Sequence, residues 1–76
     1  MKKNKFETPE ALQKHLIHTF NRNTIIEGGE VRILWDGSIR QADFARLSYA
    51  ANESNTEVRI FAKGNDYVQV CFESQD

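Results

Sequence analysis

The chain predicts an α+β fold, with two helices packed on one face of a three- or four-stranded mixed sheet. Three observations carry that expectation. Thr8-Pro9-Glu10 has the form of a capped helix start, and Val31-Arg32-Ile33-Leu34-Trp35 alternates as a strand does. Two more alternating runs, Val58 to Lys63 and Tyr67 to Phe72, stand on either side of Gly64-Asn65. A period of two lays each apolar set along one face of a strand, and Gly-Asn between two such runs reads as a tight hairpin.

Residues 1–6 are polar and basic, and the reading leaves them as a flexible lead-in to a single domain spanning 1–76. Thr8 is the expected N-cap of the first helix, with Pro9 at its first position and acid in its first turn. Leu12, Leu16 and Phe20 recur every four residues and form one stripe. The helix is expected to end near Asn21-Arg22-Asn23, because Asn tolerates the left-handed conformation at helix ends. Residues 24–30 are balanced between two readings, a short strand Ile25-Ile26 closed by Gly28-Gly29 or a plain loop. After the strand Val31–Trp35, Asp36-Gly37 turns the chain. Ser38 is the expected N-cap of a second helix running to about Asn52, on which Ile39, Phe44, Leu47 and Ala51 share a face.

Assembled, the order is helix, (short strand), strand, helix, strand, strand. The apolar sets Val31/Ile33/Trp35, Val58/Ile60/Ala62 and Val68/Val70/Phe72 are expected to meet Leu12/Leu16/Phe20 and Phe44/Leu47. The strand-helix-strand unit from Val31 to Ala62 would set its two strands parallel.

At 76 residues there is room for one domain only, and a chain this short buries only about 60% of its unfolded surface. Hydrophobic residues at 39% and charged residues at 28% fit a packed domain rather than a disordered tail. A net charge of −1 weighs against a strong, sequence-independent nucleic-acid binder. The basic start is not followed by an apolar h-region, and no apolar run approaches the ~20 residues that span a bilayer. The expectation is a cytoplasmic protein with no membrane partner.

The run Glu30-Val31-Arg32-Ile33-Leu34-Trp35-Asp36-Gly37 resembles the second strand and following turn of the HPr phosphocarrier family. Phe44 and Leu47 resemble that family's short second helix, Thr56 to Asp66 its last strand, and the helix opening at Pro9 its first helix. The resemblance implies an open-faced α/β sandwich. It does not extend to phosphocarrier chemistry, because Phe6-Glu7-Thr8-Pro9 fills the place where the family carries its phosphoacceptor histidine. The family's first strand also has no counterpart, and its final helix is replaced by the run Tyr67 to Phe72.

No catalytic motif emerges. His15 and His18 lie three apart on the first helix without further ligands to complete a metal site, so His15 reads as a helix-flank residue and His18 as solvated. Cys71 has no histidine placed to lower its pKa and reads as a half-buried small hydrophobe. Gly28-Gly29 lacks the lysine and helix start of a phosphate loop. No cofactor and no metal are expected, and the protein reads as a binder rather than an enzyme.

The second sheet face holds Arg32, Leu34, Arg59, Phe61, Lys63, Tyr67, Gln69 and Cys71. Arginine interleaved with aromatics marks protein interfaces, and similar sets also read single-stranded nucleic acid by stacking and phosphate pairing. A third reading takes the face as covered or simply amphipathic, with Leu34, Phe61 and Cys71 packed beneath the N-terminal segment and the arginine side chains lying across them. The expected contact set is Arg32, Arg59, Phe61, Lys63 and Tyr67, with Arg46 and Tyr49 of the second helix as another patch. The expected function is that of a non-catalytic regulator or inhibitor with a protein partner, of the kind encoded by phages and mobile elements. A single-stranded nucleic-acid module is the alternative, and a homodimer is a variant of either, through this face or through Tyr67–Phe72 as an exposed edge strand.

Overall fold

The computed structural model describes residues 4–62, 64 and 66–75. Along them run α1 (Pro9–Phe20), β1 (Thr24–Glu27), β2 (Glu30–Asp36), α2 (Gln41–Asn52), β3 (Thr56–Ala62) and β4 (Tyr67–Ser74).

Helix α1 starts and stops where its residue types dictate. The Thr8 hydroxyl accepts a 3.1 Å bond from the Ala11 N–H, and Pro9 opens the helix without needing a donor. Asn21 ends it at φ 52°, its N–H donating to the Ile17 carbonyl at 2.8 Å. Residues 24–30, open between strand and loop by sequence, form a hairpin. Gly28 and Gly29 take φ of 61° and 83°, and Glu27 pairs with Glu30 across the turn. Two consecutive positive φ values make the primed turn that suits strand twist, and glycine supplies them without a Cβ penalty.

Helix α2 begins later than expected. Its N-cap is Arg40, whose N–H donates to the Asp43 carboxylate at 2.9 Å, and not Ser38. The Ser38 carbonyl instead accepts from the Trp35 indole N–H at 3.2 Å, a bond that pays the polar cost of burying Trp35.

The sheet order is β1-β2-β4-β3, and every pairing is antiparallel, so the expected mixed sheet is corrected. Strands β2 and β3 do run in the same direction, but β4 lies between them and pairs with both. For the same reason Tyr67–Phe72 is not an edge strand; the edges are β1 and β3. The composition of β4 explains its central place: Val70, Cys71 and Phe72 are 0–1% exposed, which requires cover on both faces. The β3–β4 hairpin forms with Ala62 opposite Val68, whereas positions 63 and 65 of its turn lie outside the described residues.

Both helices pack on one sheet face. Leu12 and Leu16 of α1 and Leu47, Ala50 and Ala51 of α2 bury against Val31, Ile33, Trp35, Val70 and Phe72, while Phe20, Val58 and Val68 close the margins. Helix α1 lies over β1 and β2, and α2 over β3. Phe44, expected in this core, is instead 49% exposed. Leu47, Ala50 and Ala51 face the sheet, and Phe44 sits on the flank of that stripe, beyond the reach of the narrow sheet.

The N-terminal segment docks on the helix layer. The Phe6 N–H donates to the Glu53 carbonyl at 2.9 Å, and its ring stacks on His15 with centroids 4.3 Å apart. Among the described residues, no helix is long and apolar enough to cross a membrane.

Candidate partner-binding face

Strand register builds the face opposite the helices in rows that cross the sheet. Arg32 of β2 and Arg59 of β3 both stand opposite Cys71 of β4. One row along, Leu34 and Phe61 both stand opposite Gln69. The next row places Asp36 opposite Tyr67. The row on the other side of the arginines is acidic, with Glu27 opposite Glu30 and Glu57 opposite Glu73.

The acidic row answers the basic one. Arg32 reaches Glu27 at 3.0 Å and Glu30 at 2.8 Å. Arg59 reaches Glu57 and Glu73, each at 3.2 Å. Both guanidiniums hold their protons more firmly than a free arginine does: Arg32 chiefly through its hydrogen bond to Glu30, Arg59 chiefly through its bond to Glu57. The Arg59–Glu57 pair, half open to water, adds little to stability, but both sets of pairs fix where the guanidinium charge goes. Both arginines of the face are thus paired with acids of the same face.

Beneath the arginines lies Cys71, 1% exposed although no helix covers this side of the sheet. The Arg32 side chain is only 25% exposed, its Nε buried without a hydrogen-bond partner. Long aliphatic stems lying across an apolar strand give this pattern. Lys5 and Phe6 do not roof this face: their contacts are with Glu53, Tyr49 and His15 of the helix layer.

Among the described residues, the face also opens aromatic surface to solvent beside the paired, half-exposed Arg59. Phe61 is 41% and Tyr67 39% exposed, with Leu34 and Gln69 half-buried beside them. Leu34 and Tyr67 also line an open groove of ≈ 700 Å³ that runs to Asp36, Phe20 and Asn21 at the end of the face. Arg22 also lines the groove, bonded to the Asp36 carboxylate at 2.6 Å and lying over the Trp35 ring at 4.0 Å.

Of the residues singled out by sequence, Arg32, Arg59, Phe61 and Tyr67 thus share one face, and Lys63 lies outside the described residues. Arg46 and Tyr49 are on α2, in the layer on the other side of the sheet. Arg46 stands 3.7 Å from Asp43. Tyr49 is engaged by the N-terminal segment: Lys5 Nζ lies 3.2 Å from its hydroxyl, and the rings of Phe6 and His15 lie 6.3 and 6.1 Å from its own. It is a seam residue more than a free patch.

The glutamates are what sequence reasoning missed. Glu30 shares a face with Arg32 and Leu34 by simple alternation, as Glu57 does with Arg59 and Phe61, so the ion pairs within each strand were readable. The cross-strand bond from Arg59 to Glu73 needs the β3–β4 register as well.

Among the described residues, no three or more His, Cys, Asp or Glu side chains gather as a metal site would need. His15 titrates below the usual histidine range, first because it is buried against Phe6, then because Lys5 and His18 add positive charge. Set against known proteins, the chain matches no family model, no curated protein and no solved structure.

Proposed function

We propose that the protein acts by binding another protein, as a non-catalytic regulator or inhibitor, through the open sheet face around Phe61, Tyr67 and Leu34. The observation that carries this reading is the pairing of both arginines with glutamates of their own face. A single-strand nucleic-acid surface needs cations available to phosphate beside its stacking rings. Among the described residues the rings are open while both arginines are paired with acids, and the chain as a whole carries a charge of −1. Aromatic anchors beside satisfied polar groups are what protein interfaces use. The groove next to Tyr67 adds a concave place for a side chain of the partner.

Capture from a lysate by the full chain, with and without nuclease, tests the reading when paired with the double substitution Phe61→Ala and Tyr67→Ala. The expected result is a protein partner retained after nuclease and lost with the double variant, whose circular dichroism stays that of the wild type. Loss of an aromatic anchor from an interface centre costs ~2 kcal/mol or more. Capture that disappears on nuclease treatment would favour nucleic acid, and capture indifferent to both substitutions would remove the face from consideration.

A further inference from the structure

We propose that β3 pairs antiparallel with β3 of a second copy of this chain, about a two-fold axis at Ile60, joining the two sheets into one. The two edges of the sheet are not alike. β1 has four residues, the short form in which natural sheets keep an edge harmless. β3 has seven residues, contains no proline, and from Arg59 to Ala62 is exposed on both faces. Of the six large hydrophobics left exposed among the described residues, Ile60 (43%) and Phe61 (41%) sit on this strand, one on each side of the sheet. Phe44 (49%) belongs to α2, the helix that packs on β3. At about 100° per residue, Phe44 lies roughly 180° around α2 from Glu53 and roughly 140° from Tyr49. Those two residues meet the N-terminal segment and His15, so Phe44 points away from α1 and toward the unpaired β3 edge. An apolar strip thus straddles a row of backbone groups that no strand of the chain pairs.

Self-pairing selects both the occupant and the register. Residues directly opposite in an antiparallel pair share a face, so the axis must pass through a residue. An axis at Arg59 stacks the two guanidiniums directly opposite one another and sets each Phe61 ring against the charged Glu57 of the second copy, with no apolar residue to meet it. An axis at Val58 leaves Phe61 and Ala62 outside the pairing, and one at Phe61 overlaps only residues 60–62. An axis at Ile60 places Ile60 against the partner's Ile60, Val58 against the partner's Ala62, and Arg59 against the ring of the partner's Phe61, a cation–π contact. It covers the exposed apolar residues of the strand and opposes no like charges. The inference does not rest on the proposed function; Phe61 takes part in both, so the test falls on Ile60, on the face opposite Phe61 and Tyr67.

Sedimentation velocity over a concentration series tests it on the full chain. The wild type is expected to pass from one to two chains as concentration rises, and Ile60→Lys to stay at one chain throughout with an unchanged circular dichroism spectrum. Ile60→Cys provides a second reading: mild oxidation should link two chains through position 60, a product absent from the wild type, whose single thiol is buried. A wild type that remains one chain at every concentration overturns the proposal. So does a dimer that survives Ile60→Lys, or an Ile60→Cys chain that forms no cross-link.

Discussion

Arg59 Nε lies 3.2 Å from Glu73 Oε1 on the neighbouring strand, an ion pair that closes one side of a row in which both arginines of the open face are matched by acids. This pairing is the observation on which the proposed protein partner, in preference to single-stranded nucleic acid, rests. Beside the two paired arginines, the described residues of that face expose the phenyl ring of Phe61 and the phenol of Tyr67, next to the half-buried Leu34.

Stability should fall as pH drops below neutrality, in a window set by His15. Burial against Phe6, with Lys5 and His18 nearby, makes the folded protein take up a proton at His15 less readily than the unfolded chain, whose histidine titrates near 6.5. The unfolded state therefore binds more protons in this range, and stability rises with pH. The contribution is complete above the unfolded value and is lost as pH falls through the lowered folded value. Thermal melts across this range, compared with His15→Gln, should show a pH-dependent component in the wild type that the variant lacks.

Core and surface should respond oppositely at two apolar positions that a helical wheel treats alike. Leu16 is 0% exposed, and Leu16→Ala should cost about 2–5 kcal/mol in urea unfolding. Phe44 is 49% exposed, and Phe44→Ala should stay within about 0.5 kcal/mol of wild type. A loss at Phe44 equal to that at Leu16 would mean that the phenyl ring is buried after all.

Gly29→Ala isolates the cost of backbone geometry. Gly29 sits at φ 83°, and nothing lies within 4 Å of the place its Cβ would occupy. The penalty is conformational and not steric against neighbours, and should be about 1 kcal/mol or somewhat more. A shifted denaturation midpoint with an unchanged m-value is the expected signature.

Much of the fold is legible residue by residue. Thr8, Pro9 and Asn21 bound α1 because capping depends on adjacent residues alone, and the runs at Val31–Trp35 and Tyr67–Phe72 become strands because alternation is local. What escapes is long-range. Nothing in the local pattern of residues 67–72 says that β4 inserts between β2 and β3, although its freedom from charge between Tyr67 and Phe72 hints at cover on both faces. Phe44 is misjudged for a related reason: a wheel places it near Leu47, but only the position of α2 over the edge strand leaves that flank in water. At the candidate site, alternation alone places Arg32, Arg59, Phe61 and Tyr67 on one sheet face, and Arg46 and Tyr49, read as a separate patch of the second helix, stand on α2 in the other layer.

Amide-resolved NMR of the labelled protein, titrated with its captured partner, tests the central claim most directly. The account predicts shifts clustered on Leu34, Phe61, Tyr67 and Gln69, with the α2 positions Arg46 and Tyr49 unmoved. Shifts centred on α2, with the open sheet face silent, would contradict it.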